Sequence, residues 1–146
     1  MQGILNGGKW RISVVDQKIY AEQVVGEDIR QSLRTMLNSD IDAPLGDSHV
    51  TIVTSGPMKD LEIKRPGAQN TITRMLPHET FGLTYQSIAS TFSLDWEPCS
   101  FCFVVRVSSP EIEEFVVRFN AEFSGELKQP LRPSLHITYG CVRRGV

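Results

Sequence analysis

The chain has 146 residues, of which 40% are hydrophobic and 22% charged, with a net charge of −2 and a pI near 5.9. That length suits a single domain, 1–146, with a sizeable core. The acidic balance argues against a surface built to follow a long nucleic-acid duplex, and no apolar run is long enough to span a bilayer.

The opening stretch, MQGILNGGKW, lacks a charged start followed by an apolar segment, so no signal peptide is expected. Lys9 to Val15 has strand composition, Asp16-Gln17 reads as a turn, and Lys18 to Val25 reads as a second strand. An acidic start at Gly26-Glu27-Asp28 leads into Ile29, Leu33, Met36 and Leu37, an apolar helical face over about 28–38. Asn38 to Ser48 is loop, and HVTIV is a strand. Within 55–80, PMKDLEIK suggests a short helix and RPGAQN a turn. Phe81 to Phe92 has strand character, and LDWEP, with Trp96, turns the chain. SFCFVVRV alternates as a strand. Ser109-Pro110 then supplies an N-cap and a first-turn proline for a helix to about 121, with Ile112, Phe115, Val116 and Phe119 on one face. Lys128 to Ser134 is loop, and LHITYG is the last strand.

The three cysteines suggest no disulfide framework, which points to a reducing cytoplasm. Cys99 and Cys102 form a C-x-x-C, but it enters a strand, where no helix dipole lowers a thiol pKa. These are read as core cysteines. The alternative, a zinc site built on Cys99, Cys102 and Cys141, needs histidine help.

The order strand, helix, loop, strand occurs twice, once over roughly 18–54 and again over 100–141. Each copy ends in a His-x-Thr strand, His49-Val50-Thr51 and His136-Ile137-Thr138. Alternation puts His49 with Thr51, and His136 with Thr138, on one face of their strands. If the two strands meet, two imidazoles and two hydroxyls converge. One neutral imidazole can take a proton from an attacking hydroxyl while the other, protonated, gives one to the leaving oxygen. The threonine hydroxyls can donate to nonbridging phosphate oxygens. The scheme needs no metal and no cofactor. His78, in LPHETF, lacks the pattern and reads as a surface or loop histidine.

The HVTI and HITY segments resemble the paired motifs of the 2H phosphoesterase superfamily, over about Lys18 to Val142. Tyr139 is a mild variation at the last hydrophobic position. The resemblance implies an α+β, two-lobed, pseudo-symmetric fold, with antiparallel sheets, helices outside and a central cleft. It implies metal-independent cleavage of phosphodiester or cyclic phosphate bonds in RNA-like molecules, with His49 and His136 as the acid/base pair and Thr51 and Thr138 holding phosphate. Either histidine can be the base.

Compact size and acidic pI favour a short oligonucleotide or cyclic nucleotide as the partner, with no long duplex and no membrane. The leading expectation is hydrolysis of 2',5'-linked oligoadenylate or a related immune-signalling nucleotide, as in the small viral and phage members, in the cytoplasm of the host cell. The alternatives are a 2',3'-cyclic phosphodiesterase of RNA processing or repair, and a catalytically silent nucleotide-binding protein. Tyr20 or Trp10 could stack a base or simply pack. Lys64 and Arg65 could meet phosphate or form a solvated turn, and Tyr139, Trp96 and Arg143 are open in the same way.

Overall fold

The computed structural model describes residues 5, 8–24, 48–92 and 99–143, with backbone alone for 90–92, 99–103 and 139–143. The expected 28–38 helix, most of the loop after it, and the turn at Trp96 lie outside the described residues.

Among the described residues, six strands form two antiparallel three-stranded sheets. The first has the order β1 (Trp10–Val15), β2 (Lys18–Gln23), β3 (His49–Val53); the second has β4 (Thr84–Phe92), β5 (Cys99–Ser108), β6 (His136–Arg143). Three helices complete the described α+β architecture: α1 (Ser55–Lys64), α2 (Ala68–Met75) and α3 (Pro110–Glu122). In each sheet a hairpin strand and a central strand precede an edge strand that begins with His-x-Thr. None of the described helices is long and apolar enough to cross a membrane.

The β1–β2 hairpin closes at Val15 and Lys18 through Asp16 and Gln17. Both turn residues have positive φ, 51° and 61°. A two-residue connection with both residues left-handed matches the right-handed twist of the flanking strands, which explains the turn despite the absence of glycine.

The segment 65–80 departs from the sequence reading. Only Arg65 to Gly67 turns; Ala68 to Met75 is helical. Gly67 sits at φ 87°, a conformation suited to glycine. The helix has no side-chain cap at its own N-cap position. Instead the Glu62 carboxylate, one helix earlier, accepts from the amides of Gly67 (2.8 Å) and Gln69 (3.0 Å). It thereby satisfies donors that a helix start leaves open.

Those amides also lower the Glu62 pKa from its ordinary 4.5, Gln69 first and Gly67 second, against a smaller opposing effect of burial. A carboxyl lowered on folding stabilises the protein fully above its unfolded pKa, and that contribution is lost as pH falls through the folded value. Glu62→Gln is therefore expected to lower Tm at pH 7, with the gap to the parent protein closing as the pH drops below 4.5. Thermal melts across pH check this; a gap that stays constant with pH would discount the charged cap.

α3 starts as its sequence suggests. Ser109, buried, accepts from the Ile112 amide through Oγ, and Pro110 occupies the first turn. Glu111 and Glu113 complement the helix dipole. Ile112, Phe115, Phe119 and Phe123 are fully buried. The Phe119 ring centroid lies 6.0 Å from Phe115 and 4.9 Å from Phe123.

One apolar core joins these rings to Ile12, Ile19, Ala21, Val50 and Ile52 of the first sheet, and to Val105, Val107 and Ile137 of the second. Met58 and Leu61 of α1, and Ala68 and Ile72 of α2, belong to it too. Each Val, Leu, Ile, Met or Phe side chain among them contributes about 1.5–3 kcal/mol by leaving water. This common core fixes which faces of β3 and β6 remain for chemistry.

Candidate functional site

In β3, Val50 is 0% exposed and Ile52 is buried beside it, so both face the core. His49 and Thr51, half-buried, take the opposite face. The ladder sets Glu22 opposite His49 and Tyr20 opposite Thr51, while Arg11 pairs with Glu22 and Ser13 with Tyr20. These six side chains therefore share one face of the first sheet. The Tyr20 ring reaches diagonally to His49, with centroids 5.1 Å apart and planes tilted by 59°. Ser13 Oγ is buried on this face and has no hydrogen-bond partner among the described residues.

β6 repeats the arrangement. Ile137 is 0% exposed and faces the core. His136 is exposed and Thr138 half-buried on the other face. Arg106 pairs with His136, and Val104 with Thr138. Val104 is buried yet stands outside the main core, so it floors the face that carries Thr138.

His136 Nδ1 lies 2.8 Å from the Ser134 carbonyl oxygen. A carbonyl can only accept, so Nδ1 carries the proton in this contact. Nε2 is then the atom that exchanges a proton, as a lone pair in the neutral ring or as N–H in the charged one. The main chain thus sets both tautomer and ring orientation.

β3 and β6 come within 8 Å of each other between Cα atoms, although they belong to different sheets. Their apolar residues enter the same core. Each His-x-Thr pair accordingly lies on the face of its own strand that points away from the core.

A further correspondence was not foreseen from the sequence. The β2–β3 register passes from Tyr20 opposite Thr51 to Ile19 opposite Val53, leaving Ile52 as an extra residue. The β5–β6 register passes from Val104 opposite Thr138 to Phe103 opposite Gly140, leaving Tyr139 extra. Each motif strand therefore carries a bulge at the residue after its threonine. Bulges bend a strand and re-aim neighbouring side chains. Alternation is intact up to the threonine in both strands; in β3 it breaks at the adjacent apolar pair Ile52-Val53, both buried.

The other candidates are dispersed. Trp10 is fully buried, and its Nε1 has no hydrogen-bond partner among the described residues; its ring packs in the core and offers no open face. Lys64 Nζ lies 3.0 Å from Asp60 Oδ2 and donates to the Glu126 carbonyl. Arg65 donates to both carboxylate oxygens of Glu126 and to Glu122, and covers the Phe123 ring at 4.7 Å. It ties the end of α1 to the end of α3. Tyr139 is the bulge residue of β6; its side chain, like those of Cys99, Cys102, Cys141 and Arg143, lies outside the described residues. Cys99 and Cys102 stand on a strand, with Cys102 opposite Cys141 in register. His78 is exposed in the segment after α2.

Arg106 is the residue that sequence reasoning missed. Its signal was present in SFCFVVRV: alternation with Val105 and Val107, both buried, turns it to the His136 face. Comparisons with protein-family models, curated proteins and solved structures find no significant match to this chain.

Proposed function

We propose that the protein is a two-lobed phosphodiesterase of the 2H type that cleaves short RNA-like oligonucleotides, with 2',5'-oligoadenylate or a related signalling nucleotide as substrate. The observation that carries this reading is the approach of β3 to β6 with each His-x-Thr pair on the face of its own strand away from the core. The orientation of His136 by the Ser134 carbonyl supports it, because a proton-transfer group gains from a fixed tautomer.

In a 2',5' linkage the neighbouring 3'-hydroxyl is the nucleophile. One imidazole removes its proton as the oxygen attacks phosphorus. The bond to the leaving 5'-oxygen breaks, and the other imidazole, protonated, supplies that oxygen with a proton. The products are a 2',3'-cyclic phosphate and a free 5'-hydroxyl. Water can then open the cycle with the two histidines in exchanged roles. Thr51 and Thr138 donate hydrogen bonds to the nonbridging oxygens, where charge is held in the transition state. The Tyr20 ring beside His49 is placed to stack a base or to brace the imidazole.

A substrate panel tests the proposal: 2',5'- and 3',5'-oligoadenylates, 2',3'-cyclic nucleotides, and cyclic di- and trinucleotides, each with EDTA present and products identified by mass. Cleavage of the 2',5'-oligoadenylate at full rate in EDTA is the expected result. Turnover confined to 2',3'-cyclic nucleotides would move the activity to RNA processing. Binding without turnover would make the protein a silent nucleotide binder. Dependence on added magnesium or manganese would overturn the metal-free scheme.

A further inference from the structure

The end of β5, one flank of α3 and the segment 130–135 border an open hollow of about 500 Å³. That is the size range of small-molecule sites. Its apolar wall includes Val107, Ile112, Val116, Leu131 and Leu135, and Val117, 68% exposed, stands beside them. Arg106 and Arg132 also line it, against a single carboxylate, Glu113.

The two guanidiniums differ sharply from Arg65, whose donors are taken up by Glu122 and Glu126. Among the described residues neither Arg106 nor Arg132 forms an ion pair. Arg106 donates to the neutral Ser134 Oγ at 3.3 Å, which leaves most of its five N–H donors for an anion. The outer wall is held in place. Asn120 Nδ2 donates to the Leu131 carbonyl at 3.0 Å, and its Oδ1 accepts from the Leu131 amide at 2.7 Å. The hollow also adjoins the candidate site, since Ser134 and Leu135 directly precede His136 and Arg106 is its ladder partner.

An apolar slot with two guanidiniums that form no ion pair among the described residues suits a flat ring joined to a phosphate. We propose that this hollow is a nucleoside-phosphate subsite. The ring lies against Val116, Leu131 and Leu135, and the phosphate pairs with Arg106 and Arg132. The inference rests on the phosphodiesterase reading and deepens it: the substrate is an oligonucleotide bearing a terminal phosphate, whose phosphorylated nucleoside is seated here while a neighbouring linkage reaches His136.

The test is methyl NMR of the full chain titrated separately with 5'-AMP, adenosine and inorganic phosphate. Saturable shifts from 5'-AMP at Val107, Val116, Leu131 and Leu135 are expected, with adenosine and phosphate each binding at least about tenfold more weakly. Arg132 is exposed, so Arg132→Ala leaves the fold intact and weakens 5'-AMP by about tenfold or more, the scale of one lost charge-assisted contact. Val116→Trp, which fills the slot, abolishes the shifts; its own spectrum reports whether it is folded. Shifts from 5'-AMP that map to Tyr20 and His49 instead, equal binding of adenosine and 5'-AMP, or no binding at all would overturn the subsite. The two readings fail separately. Nucleotide shifts at the hollow without turnover of any oligonucleotide leave the subsite standing and remove the phosphodiesterase; turnover without those shifts does the reverse.

Discussion

Replacing His136 with alanine is expected to lower 2',5'-oligoadenylate turnover by about 10²–10⁴-fold, the usual contribution of a positioned proton-transfer group. The fold should be unaffected. His136 is exposed, and its one described hydrogen bond goes to a carbonyl two residues away. Ile137, the neighbour that packs in the core, is untouched by the change. His49→Ala should cost a similar factor, with a small loss of Tm because the half-buried imidazole packs on Tyr20. Initial rates from product chromatography, set beside thermal melts of the same samples, separate chemistry from folding. If either variant keeps near-parental turnover, that histidine has no part in proton transfer. If both do, the pairing of the two motifs has no catalytic meaning.

The largest effect on stability is expected from Phe119→Ala, about 3–5 kcal/mol, the range for emptying a large aromatic site in a packed core. Phe119 is fully buried and sits between Phe115 and Phe123 along α3. Its removal takes from both neighbours their partner ring among the described residues and leaves a gap along the buried face of the helix. Phe123 also carries the Arg65 guanidinium, so the damage extends to the tie between α1 and α3. A domain of this size has about 5–15 kcal/mol in hand, so a fifth or more of the margin would go. Denaturant unfolding monitored by far-UV circular dichroism measures it. A loss below about 1 kcal/mol would mean that the aromatic column does not anchor the helix.

Strands and helices whose own side chains state their boundaries were readable from the amino acids alone. In α3 the Ser109 cap, Pro110 and the aromatic spacing all lie inside the element. HVTIV and HITY alternate cleanly enough to assign a core face and an outward face, and Val50 and Ile137 occupy the core as that alternation requires. α2 was hidden because its cap comes from Glu62, inside the preceding helix, and local pattern reading looks for a capping side chain at the helix start. The sequence leaves Lys64 and Arg65 as a solvated or phosphate-facing pair because Glu122 and Glu126, far along the chain, cannot be placed beside Arg65 without the fold. Trp10 shows the same limit: aromatic composition gave two readings, and only its pairing with Phe81 and its full burial separate them. Arg106 could have been found by applying to its strand the alternation already used for the histidine strands.

The twin bulges at Ile52 and Tyr139 bear on why two neighbouring sheets remain two. Bordering strands with backbone groups to spare tend to zip together, and proteins suppress this by spoiling the straightness that zipping requires. A kink placed just beyond the threonine in both β3 and β6 interrupts the two rows at matching points. Adjacent strands then stay in separate sheets, and a continuous six-stranded sheet across β3 and β6 is disfavoured.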